Sequence, residues 1–337
     1  MNNFNREHQM TYFNFKSEYQ QLLTPEIVFQ LTQIHEYKGH QPLRLNVPQK
    51  ILDELAESAI AQSAIASRQI NGVFSADDQL KKIAQNKASP STDTEKAVAG
   101  YRDVLANISN GTNYDFIQPT PTTILELHKS LYKYSGCTVG GRYTDDNSAK
   151  IAESLATLCS AYEAAQQNPT LDALLLIPLF ILHFLQIHPF DCGNERMSLL
   201  LMQLLLYRSG YLTGKYTSIE SLISGTADSY HAALQVSLAS HPYAEINSEP
   251  FVSYILGILA AAYQTFEDSI DRLTNKELSK AERVQKIIQS KQGQITKSEI
   301  MAQCPEISQI TVQRALADLL KNGIITKLGG GRYTSYI

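Results

Sequence analysis

The chain has 337 residues, of which 43% are hydrophobic and 18% are charged, so it is long enough for one large domain with its own core and a smaller second domain. Its net charge of −4 does not favour a chain-wide nucleic-acid-binding surface, and its longest apolar run falls well short of the roughly 20 residues of a membrane span, which excludes a transmembrane protein. The four cysteines are scattered and have no CxxC spacing, which argues against a disulfide or zinc framework. Because the sequence also shows no apolar leader, we expect a cytoplasmic protein with reduced thiols.

The pattern of apolar residues predicts an all-α fold. Apolar side chains recur at spacings of three and four residues, as in Ile51, Leu52 and Leu55, whereas alternating runs typical of strands are nearly absent. Helix starts are indicated by Thr, Ser or Asn before several of these runs. The predicted helices cover about 25–36, 48–70, 95–108, 121–133, 150–166, 170–187, 194–209, 218–240 and 249–275.

Two glycine-rich stretches interrupt the helical pattern. Residues 135–147 read SGCTVGGRYTDDN and residues 328–337 read LGGGRYTSYI, and each predicts a β-hairpin with a glycine turn. Residues 276–293 are rich in charge and lead into the last segment of the chain. We therefore expect three regions: an N-terminal helical region at 1–110, a core domain at 111–278 and a C-terminal domain at 279–337.

The C-terminal domain has the pattern of a winged helix-turn-helix: a short helix, a turn, a second helix and a two-stranded wing. From position 280 it carries nine Lys and Arg against four Asp and Glu, a net charge of +5. The second helix would expose Thr311, Gln313 and Arg314, and Arg332 would flank the wing tip, so DNA is one candidate partner. The alternative is a protein-docking module with a solvated basic face.

The most polar segment inside the apolar core pattern spans residues 187–200, IHPFDCGNERMSLL. Apolar helices are predicted on both sides, so its polar residues occupy a helix–loop–helix corner. The backbone amides at the start of the second helix favour an anion, Gly193 lets a phosphate approach the main chain, Asn194 can cap the helix and Arg196 can pair with phosphate oxygens. His188 beside that site is the candidate general base.

Several motifs together resemble the Fic family of protein adenylyltransferases. The run HPFDCGNER at 188–196 resembles the family signature HPFx[D/E]GNGRxxR, GGRYTDDN at 140–147 resembles its flap hairpin, and IASRQING at 65–72 resembles its inhibitory helix motif. The run IHEYKGHQ at 34–41 and the terminal winged helix resemble features of longer members. The resemblance implies a Fic-type helical bundle with a β-hairpin flap, followed by a winged helix-turn-helix domain.

The same resemblance implies transfer of AMP from ATP, with Mg²⁺ or Mn²⁺, to a Ser, Thr or Tyr hydroxyl of a target protein. His188 would take the proton of that hydroxyl. The implied nucleotide contacts are Gly193, Asn194, Glu195, Arg196 and Tyr230, although Tyr230 fits equally well as a helix-packing side chain. The implied flap residues that hold the target are Val139, Gly140, Gly141, Arg142 and Tyr143, and the inhibitory-type residues are Ser67, Asn71 and Gly72. A homodimer is a candidate assembly.

Four positions depart from the family pattern. Cys192 stands where the family has the acidic residue that holds magnesium, and a thiol is a poor ligand for that hard ion. Glu195 replaces a glycine beside the phosphates, and Leu199 replaces the final arginine. Asn71 replaces the inhibitory glutamate that would pair with that arginine. Either the inhibitory switch has decayed, or Glu195 fills the anion site from within by pairing with Arg196 or capping its own helix. The alternative for Glu195 is a side chain that simply faces solvent.

Three functional interpretations stay open. The first is a working nucleotidyltransferase with altered nucleotide use, which the intact His188, Gly193 and Arg196 favour. The second is a Fic-fold regulatory or DNA-binding protein without transfer activity, which Cys192, Glu195 and Leu199 favour. The third and weakest is a transition-metal site made by His183, His188 and Cys192, a spacing that matches no established zinc pattern.

Overall fold

A computed structural model describes residues 13–73, 78–135, 140–144, 148–238, 247–277, 279–291, 293–331 and 334–337. The chain divides into two compact units, Met1–Glu267 and Asp268–Ile337. Helices account for most of the described residues, which confirms the predicted all-α class. No helix of the described part is long and apolar enough to cross a membrane.

The helices of the first unit differ widely in length, and the last of them continues into the second unit. They are α1 (Phe15–Gln21), α2 (Pro25–Arg44), α3 (Gln49–Gln69), α4 (Asp78–Ala84), α5 (Asp93–Ser109), α6 (Asn113–Phe116), α7 (Pro121–Leu131), α8 (Ser148–Gln166), α9 (Ala173–Ile187), α10 (Asn194–Arg208), α11 (Ile219–Gly225), α12 (Ala227–Leu238) and α13 (Glu249–Glu277). A short 3₁₀ helix covers Thr213–Lys215.

Most predicted helices occur within a few residues of their expected bounds, and three expectations need correction. The helix predicted at 25–36 continues to Arg44. The helix predicted at 218–240 is divided into α11 and α12, because Gly225 ends the first and Thr226 leaves the helical conformation. The helix predicted to start at 170 starts at Ala173, where the Asp172 carboxylate accepts the Leu174 N–H at 2.9 Å, and it continues through Pro178 without a break. The short helices α1, α4 and α6 were not predicted.

Helices α9 and α10 form the centre of the first unit. Helix α9 is buried from Leu174 to Leu185 and α10 from Arg196 to Tyr207, and both are apolar on nearly all sides, as expected for helices surrounded by protein. They pack against each other, with α8, α12 and α1 against α9. Because both helices are fixed in the core, they hold in place the loop at 188–193 that joins them.

The second unit contains the end of α13, three further helices and a small sheet. These elements are α14 (Lys280–Ser290), β1 (Ile295–Thr296), α15 (Lys297–Gln303), α16 (Gln309–Lys321), β2 (Lys327–Leu328) and β3 (Ser335–Tyr336). The strands are antiparallel in the order β1–β3–β2, with Lys327 opposite Tyr336. The predicted C-terminal hairpin is therefore confirmed, while the winged-helix assignment of the whole unit stays a prediction.

Candidate active site

His188 is an exposed residue at the C-terminal end of α9, and the residues that position it are buried. It ends the helix in a left-handed conformation, φ 49° and ψ 62°, while its N–H donates to Phe184 O at 3.1 Å. The next two residues, Pro189 and Phe190, are buried. The imidazole is exposed and forms no hydrogen bond with a described residue. A positive φ at a residue other than glycine is costly, so the surrounding packing fixes this orientation and leaves the ring available to a substrate.

Asn194 holds the loop together from inside. Its side chain is 4% exposed, its Oδ1 accepts the Phe190 N–H at 3.0 Å and its Nδ2 donates to Phe190 O at 2.6 Å. It is the first residue of α10 and not the N-cap, so the predicted capping role is wrong. Two hydrogen bonds across four residues close the loop into a ring, which fixes the path of the chain from His188 to α10.

The start of α10 lacks the side-chain cap that most helices of the molecule have. The N-cap is Gly193, with φ 79°, and no side chain accepts a hydrogen bond from the first turn. A Cβ at this position would lie 2.7 Å from the Tyr132 hydroxyl oxygen, so both the backbone angle and the space require glycine. The first-turn N–H groups and the helix dipole therefore remain available to an anion, provided that Tyr132 moves aside.

Arg196 is fixed beside this helix start. It is 6% exposed, and its guanidinium donates to the Tyr132 hydroxyl at 2.7 Å and to Ala97 O at 3.4 Å. Burial raises the pKa of Tyr132 to about 12, although the charge of Arg196 acts in the opposite direction. Tyr132 is thus neutral at physiological pH, and Arg196 carries a buried charge that no carboxylate of the described residues neutralises.

His128 on α7 connects the loop to the glycine-rich stretch. Its Nδ1 accepts the Gly141 N–H at 3.0 Å, and its Nε2 lies 3.1 Å from Cys192 O. Because a backbone N–H can only donate and a carbonyl can only accept, the ring is the neutral tautomer protonated at Nε2. Burial lowers its pKa to about 4, and the ring stacks on Phe190 at 3.7 Å between centroids.

The predicted flap lies beside the loop, but its described part is not a strand. Gly140 and Gly141 form a turn, and residues 142–144 are irregular backbone. Thr144 N–H donates to Pro189 O at 3.0 Å, so this stretch is hydrogen-bonded to the loop as well as to His128. Arg142 is exposed and Tyr143 half-buried, whereas Val139 lies outside the described residues. The hairpin expected at 135–147 is therefore not formed as paired strands within 140–144.

The fold and this corner coincide with a known domain. The profile of the Fic/DOC family matches residues 118–206, which include α7, α8, α9, the His188 loop and most of α10. Residues 118–206 form a Fic domain. No curated protein matches the chain.

Solved Fic proteins share the fold over most of the chain. A Fic family protein from Desulfovibrio desulfuricans G20 is 19% identical, with a TM-score of 0.60 over 93% of this chain and 96% of its own. A Fic-domain signalling protein from Bacteroides thetaiotaomicron is 17% identical, with a TM-score of 0.58 over 71% and 98%. Fic-1 from C. elegans is 18% identical, with a TM-score of 0.61 over 74% of each chain. At these identities the similarity shows the fold and leaves the activity open.

The inhibitory-type segment covers the last turns of α3 and the turn that follows it. Ser67 is buried and its hydroxyl donates to Ala64 O at 2.8 Å, while Asn71 is exposed and Gly72 has φ 76°. The sequence analysis assigned no role to Arg68, but its Nε is buried and has no hydrogen-bond partner among the described residues. Burial, and then the nearby charge of Arg196, lowers the pKa of Arg68.

Glu195 does not fill the anion site in this structure. Its carboxylate is half-buried and forms neither an ion pair with Arg196 nor a hydrogen bond with any described residue. Burial, and to a smaller extent the charge of Glu195, raises the pKa of Tyr230. Tyr230 is 1% exposed and packs on Phe251 at 6.2 Å between ring centroids, which favours the packing alternative over a nucleotide contact.

The transition-metal hypothesis is wrong for the described residues. His183 is buried, and its Nε2 lies 2.9 Å from the Glu18 carboxylate of α1. His188 and Cys192 are exposed on the loop. Among the residues that the structure describes, no group of three or more His, Cys, Asp and Glu side chains could hold a metal ion.

The candidate DNA contacts lie on α16 of the second unit. Gln313 and Arg314 are exposed, whereas Thr311 is half-buried with its hydroxyl 2.9 Å from that of Ser308. Arg332 lies outside the described residues. The exposure of two adjacent long polar side chains is compatible with nucleic acid or protein as a partner, and DNA binding stays a prediction.

Three residues of the site escaped the sequence analysis: His128, Tyr132 and Arg68. The first two are four residues apart at the end of the predicted helix 121–133, and that spacing places them on one face. A polar histidine on an apolar helix face four residues before a tyrosine was a usable signal. Arg68 stood within the quoted motif IASRQING, but its proximity to Arg196 depends on packing of α3 that the sequence does not encode locally.

Proposed function

We propose that this protein transfers AMP from ATP to a Ser, Thr or Tyr hydroxyl of a target protein, as an enzyme of the Fic type. The observation that carries the proposal is the exposed, unpaired imidazole of His188 beside the uncapped start of α10. His188 takes the hydroxyl proton, the hydroxyl oxygen bonds to the α-phosphorus, and the bond from that phosphorus to the pyrophosphate oxygen breaks.

The start of α10 binds the phosphates in this proposal. The first-turn N–H groups behind Gly193 and the guanidinium of Arg196 offset the negative charge that develops during transfer. Asp191 is exposed on the loop and would hold Mg²⁺ or Mn²⁺ together with the phosphates, since such ions need only one or two protein carboxylates. Bound there, the ion would neutralise phosphate charge. Cys192 contributes no suitable oxygen side chain, and its carbonyl is occupied by His128.

The target peptide would lie along residues 140–144. That stretch is tied to the loop through Gly141–His128 and Thr144–Pro189, so a segment bound to it would place its hydroxyl near His188. Binding through the main chain of an extended stretch tolerates many target sequences.

A specific observation favours a second candidate, a Fic-fold protein that no longer transfers AMP and acts as a regulator. Tyr132 covers Gly193 and occupies Arg196, while Cys192 and Leu199 replace a metal ligand and a phosphate partner of the family signature. Such a protein would act through partners of its second unit, where DNA at Gln313 and Arg314 is the candidate.

Intact mass separates the two candidates. The wild type is incubated with ATP and either Mg²⁺ or Mn²⁺, since enzymes of this type can modify themselves, and His188→Ala is treated in parallel. The transferase predicts an adenylyl mass gain that falls by a factor of about 10²–10⁴ in rate without the base. Gln186→Ala, exposed on the preceding turn, is the control and should keep the wild-type rate. A wild type that gains no mass with either ion contradicts the proposal.

A further inference from the structure

Arg68 is a half-buried arginine on which the charge of Arg196 in the candidate site acts. It lies in the last turn of α3, its Nε is buried, and its side chain forms no hydrogen bond or ion pair with a residue that the structure describes. Buried guanidinium groups are normally paired, because an unsatisfied donor that carries charge is costly. An unpaired one therefore indicates a ligand that completes its surroundings.

A second arginine, Arg196, acts electrostatically on Arg68. Arg196 lies close enough to lower the pKa of Arg68, and Tyr132 lies beside both. The two guanidinium groups come from different helices, the neutral Tyr132 hydroxyl accepts a hydrogen bond from Arg196, and no described carboxylate is paired to either arginine. The repulsion between them is relieved by an anion that accepts hydrogen bonds from both.

We propose that Arg68 and Arg196 together form a two-arginine site for the terminal phosphates of a nucleoside triphosphate. The inference rests on the proposed function and specifies which residues hold the leaving pyrophosphate portion. Leu199, three residues after Arg196 on α10, is 3% exposed and apolar, so α10 itself offers no second cation there. Helix α3 supplies that cation in its place, which makes its last turn a binding element and not an inhibitory one.

The end of α3 is held firmly enough to place Arg68. His231 Nε2 donates to Ile70 O at 2.9 Å, and the Ser63 hydroxyl donates to that of Ser218 at 2.9 Å inside the core. Helix α3 packs on α5 and α11 along its length. The Tyr132 hydroxyl accepts the hydrogen bond from Arg196 that a phosphate oxygen would accept in the complex. A bound anion would therefore displace this phenol from Arg196.

Inorganic pyrophosphate and AMP are the probes, titrated into the full chain by calorimetry without metal. The wild type should bind pyrophosphate, and Arg68→Gln should bind it at least about tenfold more weakly, because one charge-assisted pair is lost. Arg68→Lys, which keeps the charge but loses the planar donor pair, should fall between them. AMP lacks the terminal phosphates, so its affinity should change little in Arg68→Gln. Lys82→Ala removes an exposed charge on α4 and is the matched control for net charge.

Equal pyrophosphate affinity in the wild type and Arg68→Gln would overturn the inference, and so would a wild type that binds no pyrophosphate. Circular dichroism spectra of the variants confirm that α3 stays folded. The outcome is separable from that of the proposed function: pyrophosphate binding that requires Arg68, in a chain that gains no adenylyl mass, would keep the site and refute the transferase. Adenylyl transfer that is unchanged in Arg68→Gln would do the reverse.

Discussion

Helices α10 and α16 start in opposite ways. At α16 the Ser308 hydroxyl accepts the Thr311 N–H at 3.3 Å and lies 2.9 Å from the Thr311 hydroxyl, so the helix start is satisfied by its own chain. At α10 the N-cap is Gly193, with no side chain to accept a hydrogen bond, and Arg196 and Arg68 have no carboxylate partner in the part of the chain that the structure describes. The same helix dipole stabilises local structure in one case and is left to a ligand in the other.

Under the proposed function, α10 gives up helix stability for phosphate binding, whereas α16 does not. A side-chain cap such as that of α16 stabilises a helix by about 1 kcal/mol, and α10 lacks this contribution. The loop before α10 is instead made rigid by groups that leave the helix start open: the Asn194 side chain closes it from inside and His128 holds Cys192 O. Variants that weaken these supports should affect the α10 corner strongly, and variants at α16 should leave that corner unchanged.

The largest expected effect concerns pH and His128. Its pKa is about 4 in the folded protein against an ordinary value of 6.5, so in the window between them the unfolded chain binds more protons. Stability is therefore fully present above about pH 6.5 and is lost as the pH falls toward 4, by up to about 3 kcal/mol. Urea unfolding of the wild type at pH 7.5 and pH 5 measures the loss.

His128→Phe is the comparison, because it removes the titration while an aromatic ring remains on Phe190. It should be less stable than the wild type at pH 7.5 and should show a smaller loss at pH 5. The charged groups that bear on the ring are Arg196 and Asp191, and both are retained in the variant. An equal loss in both proteins would remove His128 as the source of the pH dependence.

The next effect is expected from Asn194→Ala. The change deletes both side-chain hydrogen bonds to Phe190 and leaves its buried N–H and C=O without partners, at a cost of about 2–3 kcal/mol. The midpoint of thermal unfolding should fall by several degrees, and adenylyl transfer should fall with it. The control is Asn247→Ala, which also deletes a side-chain amide but at a position before α13 and outside the loop. If both variants unfold like the wild type, the closure by Asn194 is not a determinant of the corner.

The smallest effect is expected from Ser308→Ala at α16. Loss of the cap should cost about 1 kcal/mol and speed hydrogen exchange of the first-turn amides of α16 roughly fivefold. Pyrophosphate binding should be unchanged, since the substitution lies in the second unit. Ser308→Thr retains the hydroxyl and should restore the slow exchange. A change in pyrophosphate affinity in Ser308→Ala would contradict the independence of the two helix starts.

The sequence predicted what is local and missed what depends on packing. The helices around 49–69 and 194–208 follow from apolar spacing, and the His188, Gly193 and Arg196 constellation follows from residue chemistry. The division of the helix at Gly225 was missed because one glycine inside an apolar pattern is an ambiguous break. Arg68 was missed because its proposed role depends on Arg196, which lies more than 120 positions further along the chain.

Calorimetric titration of ATP with Mg²⁺ into the wild type and Gly193→Ala tests most directly whether the start of α10 is an anion site. A Cβ at this position meets a left-handed backbone and the Tyr132 hydroxyl, and it also stands where phosphates would approach the amides. We expect saturable binding to the wild type that is at least about tenfold weaker in the variant. A wild type that does not bind ATP, or a variant that binds it equally well, would contradict the account.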